Sequence, residues 1–347
     1  MAADDYAIVV GISEYPGLDD LDGPENDARA FYAWLIKPDG GAVEPSRVSR
    51  ILSSDFGPPF ASVTEAKPTM ERVHDELRRF VTIAKRRTKD GLGFNVGRRL
   101  YLYLSGHGFA RDLDEAAVFM ADAAPPDWVA HIPGRYCANW FIKSGFFQEV
   151  VLLMDCCREN YASVPTIVPP LGPRTGQGVS EARYFFGFSS RFGLLSRERP
   201  FDGEVRGVFT EALLEGLDGG ASTAAGEITA ASLDSYLSDN MKHYLAPADI
   251  DDPTVTKQPR VEYDTASGAQ FVLARKPPKR YRVTVHFPPS MAGREARVVG
   301  GEEESMTVAD GAPWTIDRPR GAYFVVVAGF PSRPFEVTAT GDVNVHL

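Results

Sequence analysis

The sequence predicts an α/β fold, an open and mostly parallel sheet with helices on both faces, followed by a small C-terminal β-sandwich. Three observations carry this. Continuous apolar runs of strand length recur as YAIVVG, RRLYLYLS and VVLLM, the pattern of strands buried on both faces. Segments with helical spacing of apolar residues lie between them, which implies crossover connections in one parallel sheet. Beyond residue 280 the helical signal ends, and short alternating segments separated by Gly/Pro turns take over.

Taken in order, Tyr6–Gly11 is the first buried strand. PENDARAFYAWL, from Pro24 to Leu35, reads as a helix: proline opens it, acids fill its first turn, and Ala28, Phe31 and Leu35 share one face. Residues 47–52 form a second strand. An amphipathic helix spans 69–85, with Val73, Leu77, Phe80 and Ala84 at helical spacing. Strands at 98–105, 150–154 and 184–189 follow, then helices at 209–217 and 231–245, and a last sheet strand at 269–274. The stretch 160–179 holds VPTIVPPLGPRTGQG, too rich in proline and glycine for a regular element, and reads as a long mobile connection. RKPPKR, from Arg275 to Arg280, reads as a linker. Strands are expected at 281–287, 296–299, 305–308, 322–328 and 335–340. The expected organisation is a catalytic unit over 1–275 (large segment 1–160, connecting loop 160–183, small segment 184–275) and an all-β unit over 281–347.

Composition narrows the function. The 347 residues carry a net charge of −10, are 44% hydrophobic and 24% charged, and include only three cysteines, two of them adjacent. An acidic chain is a poor general nucleic-acid binder, so no nucleic-acid partner is expected. No apolar run reaches membrane-spanning length, and the N-terminus lacks a basic segment ahead of an apolar one, so neither a membrane nor a secretory role is expected. Few, unpaired cysteines suit a reducing, cytoplasmic setting. Neither CxxC nor HxxxH spacing accompanies Cys156 and Cys157, which argues against a zinc site.

In open α/β sheets the working residues sit at the carboxyl ends of strands. Two strands here run into chemistry-bearing motifs there: Ser105-Gly106-His107-Gly108 and Asp155-Cys156-Cys157-Arg158. A thiol attacks a peptide carbonyl as thiolate, so it needs a base, and the reaction needs donors aimed at the developing oxyanion. His107 is the candidate base, and the N–H groups of Gly108 and Cys157 are the candidate oxyanion donors. His107 precedes Cys157 by 50 residues, the spacing of caspases.

On these motifs the chain resembles caspase-fold cysteine peptidases, and the metacaspase branch more than animal caspases. YAIVVGISEYPGLDDLDGPENDA resembles the metacaspase opening, LYLSGHG the histidine motif, LLMDCCREN the cysteine motif, and GVFTEALLEGL the helix following a G-x-F-T signature. The likeness runs from Tyr6 to Ala274. It implies a caspase-like domain, with Cys157 rather than Cys156 as nucleophile and His107 as base. It also implies an acidic pocket formed by Asp155 and Asp27, with Ser105 on its wall, taking protein substrates with arginine or lysine before the scissile bond. Two carboxylates can hold such a cation by charge-assisted hydrogen bonds. Caspase-type zymogens are often cut in the connecting loop, so Arg174 and Arg183 are processing candidates for an upstream activating protease. Prokaryotic relatives suggest a stress or phage-defence cascade.

The chain also departs from the metacaspase pattern. It has Cys157-Arg158-Glu159-Asn160 where metacaspases usually continue C-H-S-G, and Pro24 where many have cysteine. Asp112, Asp114, Glu115 and Asp122 are a thin set for calcium, which takes six to eight oxygens. No cofactor is therefore expected, and calcium is not favoured. Two plainer readings stand beside this one. Asp27 also suits the positive end of its helix, and Cys137 and Cys156 suit apolar filling. The whole chain could also be a caspase-fold interaction module without turnover.

Overall fold

The computed structural model describes residues 4–126, 128–161, 164–165, 167–172, 182–265, 270–338 and 341–347. Its centre is a six-stranded sheet of β1 (Asp5–Gly11), β2 (Val48–Leu52), β3 (Gly97–Ser105), β4 (Phe147–Asp155), β5 (Arg183–Phe188) and β6 (Arg260–Tyr263), in the order β6-β5-β4-β3-β1-β2. All neighbours are parallel except β6, which runs antiparallel to β5. The mostly parallel α/β prediction therefore holds.

Both faces of the sheet are covered because both sets of alternating side chains are apolar. Val9, Tyr103 and Leu153 pack beneath α1 (Pro24–Ile36), α4 (Val208–Glu215) and α5 (Ala230–Asn240), against Phe31, Leu213 and Leu237. Val10, Leu104 and Leu152 pack on the other face with Phe80 of α2 (Met70–Lys89) and Phe141 of α3 (Gly134–Ser144). Helix α3 escaped the sequence reading because it is buried on most sides, which erases the polar stripe that marks a helix.

The register aligns the strand ends. Gly11 pairs with Ser105, and Ser105 pairs with Asp155, so three carboxyl ends lie side by side. A side chain at Gly11 would meet the Pro24 carbonyl at 2.5 Å. Glycine there lets the start of α1 sit directly on the rim, which brings Asp27 over the ends of β3 and β4.

One expectation needs correction. The strand foreseen at 269–274 is Val272–Arg275, and it pairs with Glu227–Thr229 outside the central sheet; Ala269 lies outside the described residues. Arg99, at the start of β3, donates to the carbonyls of Val272 and Leu273 and holds that strand across the sheet's end. The last sheet position goes instead to β6, four half-exposed residues without a pattern. The connecting loop is anchored where it is described: Val164 and Leu171 are buried, and Ile167 N donates to His131 Nε2. The linker is pinned as well, with Lys276 paired to Asp39 and Lys279 to Glu215.

The C-terminal residues form two sheets. One has the order Trp314–Pro319, Arg280–His286, Val343–His346, and the other Glu304–Thr307, Glu295–Val299, Gly321–Val327, Arg333–Val337. Val283 and Val285 of the first share a core with Val298 and Val325 of the second.

Candidate active site

The rim of β3 and β4 opens into a cleft of about 360 Å³ lined by Asp27, Ser105, His107, Asp155, Cys157 and Glu198, among others. The predicted catalytic, oxyanion and pocket residues are thus gathered in one place, with one exception. Gly108 is buried one residue behind the lining, in a short strand paired with Ala117–Phe119. A side chain there would meet Cys156 Sγ at 2.6 Å, so glycine lets the histidine strand pass close to the cysteine strand.

His107 is held on two sides. Its backbone N–H donates to the Tyr15 hydroxyl at 3.0 Å, and the Tyr15 ring lies 4.9 Å from the imidazole. Nε2 lies 2.7 Å from the Asp19 carbonyl. A carbonyl only accepts, so this contact assigns the proton to Nε2 and leaves Nδ1 as the basic nitrogen. The Cys157 thiol donates to the Ser196 carbonyl at 3.8 Å, and among the described residues it has no hydrogen bond to His107. Burial pushes this thiol up to about 11, with Glu159 and Asp155 adding to the shift and the Ser196 contact and Arg197 opposing it. Cys156 and Cys137 are buried, and burial pushes both thiols up further.

The two aspartates face each other across Gly207. Asp155 Oδ1 accepts from Ser196 Oγ at 3.0 Å, while Oδ2 accepts from Thr210 N at 3.0 Å and Thr210 Oγ1 at 2.7 Å. Asp27 accepts from Gly207 N at 2.9 Å and from Ser105 Oγ at 3.2 Å. Burial raises both carboxyls, and the neighbouring Asp155 raises Asp27 further. Glu198 stands at the same opening and accepts from the N–H groups of Asp22 and Gly23. The lining cation, Arg197, is held by Asp249 and Asp252. Acidic side chains therefore outnumber basic ones in the lining.

Tyr15, Ser196, Glu198, Gly207 and Thr210 were not foreseen. Gly207 and Thr210 frame the G-x-F-T stretch, so that motif carried their signal. Glu198 lies in RERPFDGEVRG, where local pattern says nothing.

The other expectations fall outside the cleft. Arg158 is fully buried, donates to the carbonyls of Leu113 and Glu115, and lies over Phe188. Its position directly after Cys157 ties that loop to residues 113–115. Arg183 lies in β5 and pairs with Glu149, so cutting after it would require the strand to open. Arg174 lies outside the described residues. Asp112 caps the N–H groups of Asp114 and Glu115, Asp114 pairs with Arg260, and Glu115 is half-buried, with desolvation pushing it up to about 7. Among the described residues no group of three or more His, Cys, Asp or Glu is placed to hold a metal ion, and no helix is long and apolar enough to cross a membrane.

Residues 4–258 match the family model described as caspase domain. Over 227 residues, 62% of the chain, the sequence is 26% identical to a probable protease of a Desulfuromonadales bacterium, and the match spans 26% of that relative. Among solved structures, it is similar to caspase-1 from Spodoptera frugiperda (11% identity, 79% of this chain, 91% of that one, TM-score 0.47). It is also similar to a protein from Geobacter sulfurreducens (15% identity, 79% of this chain, 98% of that one, TM-score 0.43).

Proposed function

The chain belongs to the caspase-domain family, and from that premise we propose that it is a cysteine endopeptidase that cleaves proteins after arginine or lysine. The observation that carries the specificity is a cleft holding two buried carboxylates whose hydrogen-bond partners, among the described residues, are all neutral. Buried charge without a counter-charge is costly, and a guanidinium or ammonium entering between Asp27 and Asp155 would supply one. Glu198 at the opening would add to the attraction.

In this reading Cys157 attacks the carbonyl and His107 Nδ1 takes the thiol proton. The imidazolium then protonates the leaving amine, and the same nitrogen activates the water that hydrolyses the acyl-enzyme. The Asp19 carbonyl stabilises the imidazolium through Nε2–H. The Gly108 and Cys157 N–H groups are assigned to the oxyanion. A thiol pushed up to about 11 is protonated at neutral pH in this resting form, so attack needs a base to take its proton. The hydrogen bond from Cys157 to Ser196 favours a latent resting form. The thiol must leave that carbonyl and turn to His107 before it can react, as an activating cut or the arriving substrate would require.

The test is hydrolysis of a fluorogenic arginyl peptide by the wild type and Cys157→Ala, before and after limited proteolysis. Turnover that needs Cys157 is expected. Labelling of Cys157 by a peptide probe without turnover of arginyl, lysyl or aspartyl peptides under any condition would favour the interaction-module reading instead.

A further inference from the structure

We propose that the empty pocket holds one proton shared between Asp27 and Asp155, and that a cationic side chain enters by displacing it. This rests on the basic-residue reading and adds to it a rule of pH regulation at the same site.

The argument is geometric. A methyl group built on Gly207 would lie 2.1 Å from Asp155 Oδ2 and 2.9 Å from Asp27 Oδ2. The two oxygens therefore flank one point and are at most about 5 Å apart. Both residues are buried, at 1% and 6% exposure. Like charges at that separation, out of water, do not both ionise without a cation. Among the described residues, the groups around them supply none. Ser105 and Tyr103 come from β3, Cys156 and Cys157 follow β4, and Thr210 comes from α4. Arg197 precedes and Glu198 opens the strand Glu198–Phe201, and Glu159 and His107 also line the cleft. Arg197 is committed to Asp249 and Asp252, and Arg206, nearby on the strand that ends at Gly207, to Glu211. Asp27 accepts two hydrogen bonds and Asp155 three, so the proton rests mainly on Asp27. Desolvation and the mutual repulsion of the pair act in the same direction.

The balance is simple. A pocket with one proton and one negative charge takes up a cation, releases the proton to solvent, and becomes a doubly negative pocket around a single positive charge. Linkage then sets the pH dependence. Where the free pocket is protonated, affinity for a cation rises about tenfold per pH unit, and it levels off once the proton is gone.

The experiment measures the dissociation constant of benzamidinium for the full-length Cys157→Ala protein by ligand-observed NMR from pH 5 to pH 8, with neutral benzamide as control. Removing the thiol separates this titration from catalysis, and benzamidinium stays charged throughout. A slope near tenfold per pH unit over part of the range, followed by a plateau, is expected. In Cys157→Ala/Asp27→Asn the binding should be weaker and nearly independent of pH. Benzamidinium binding whose constant changes less than twofold across the range would overturn the shared proton while leaving the basic-residue pocket standing. No binding of benzamidinium, or equal binding of benzamide, would sink both.

Discussion

Strand β4 carries a buried carboxylate near each end, and the two keep opposite electrostatic company. Glu149, 5% exposed, takes guanidinium hydrogen bonds from Arg98, Arg99 and Arg183. Asp155, 6% exposed and six residues on, takes hydrogen bonds from hydroxyls and one backbone N–H. The same burial on the same strand is thus matched by charge at one end and left unmatched at the other. A matched charge ties elements together: Arg99 also holds the carbonyls of Val272 and Leu273, so the cluster joins β3, β4, β5 and the strand beyond α5. Even there burial weighs on the acids, since it raises the Asp5 carboxyl against the opposing pull of Arg98 and Arg99. In the function proposed above, an unmatched charge keeps a place for an arriving cation. The lesson is that the partner set of a buried acid, rather than its burial, separates a structural from a functional role.

The largest effect expected from this contrast is on Asp155. Asp155→Asn should lower kcat/KM for arginyl peptides by about 100-fold or more, because losing one partner of a desolvated charge contact costs about 3 kcal/mol or more. Cys157 alkylation should persist in the variant, and steady-state kinetics with a labelling control check both. Glu149→Gln should do the reverse. It leaves three guanidiniums short of one charge and should cost about 3–5 kcal/mol of stability, read by denaturant unfolding, while the preference for arginyl over neutral peptides is kept. A Glu149→Gln protein of wild-type stability would break the comparison.

A pH experiment sharpens it. Burial raises the Asp27 carboxyl in the folded state, so the native protein holds that proton more tightly than the unfolded chain. Stability from this group is greatest below the unfolded carboxylate range near pH 4 and is lost as pH rises through the raised folded value, by up to about 1.4 kcal/mol per pH unit. Asp27→Asn should remove that slope, and unfolding curves of both proteins from pH 4 to pH 8 give the difference. The smallest effect is expected for Ser105→Ala, which deletes one hydroxyl contact to Asp27. About 1 kcal/mol of pocket organisation, or some fivefold in KM for arginyl peptides with kcat nearly unchanged, is the expected readout.

Much of this was legible in the sequence because the signals were local. Apolar runs fixed β1, β3 and β4, since strands buried on both faces must be apolar throughout. The motifs at their ends then put His107, Cys157, Asp155 and Ser105 on one rim, because parallel strands present the same end to the same side. What lacked a local signal was missed. β6 is a short edge strand, α3 is too buried to show a stripe, and the Arg–Glu–Arg cluster joins residues about 50 and 170 positions apart.

The sequence by itself determined which chemistry the chain carries: a thiol, an imidazole and two carboxylates, at turns that follow strands. Only the tertiary structure decided their condition. The Asp19 carbonyl chose the imidazole tautomer, Ser196 rather than His107 receives the thiol's hydrogen bond, and Gly207 lets two acids close on one point. It also placed guanidiniums at one end of β4 and, among the described residues, none against Asp155 at the other. The reason is physical. Side-chain identity is covalent and local, whereas protonation and charge balance depend on burial and on the distance to groups that only folding brings near.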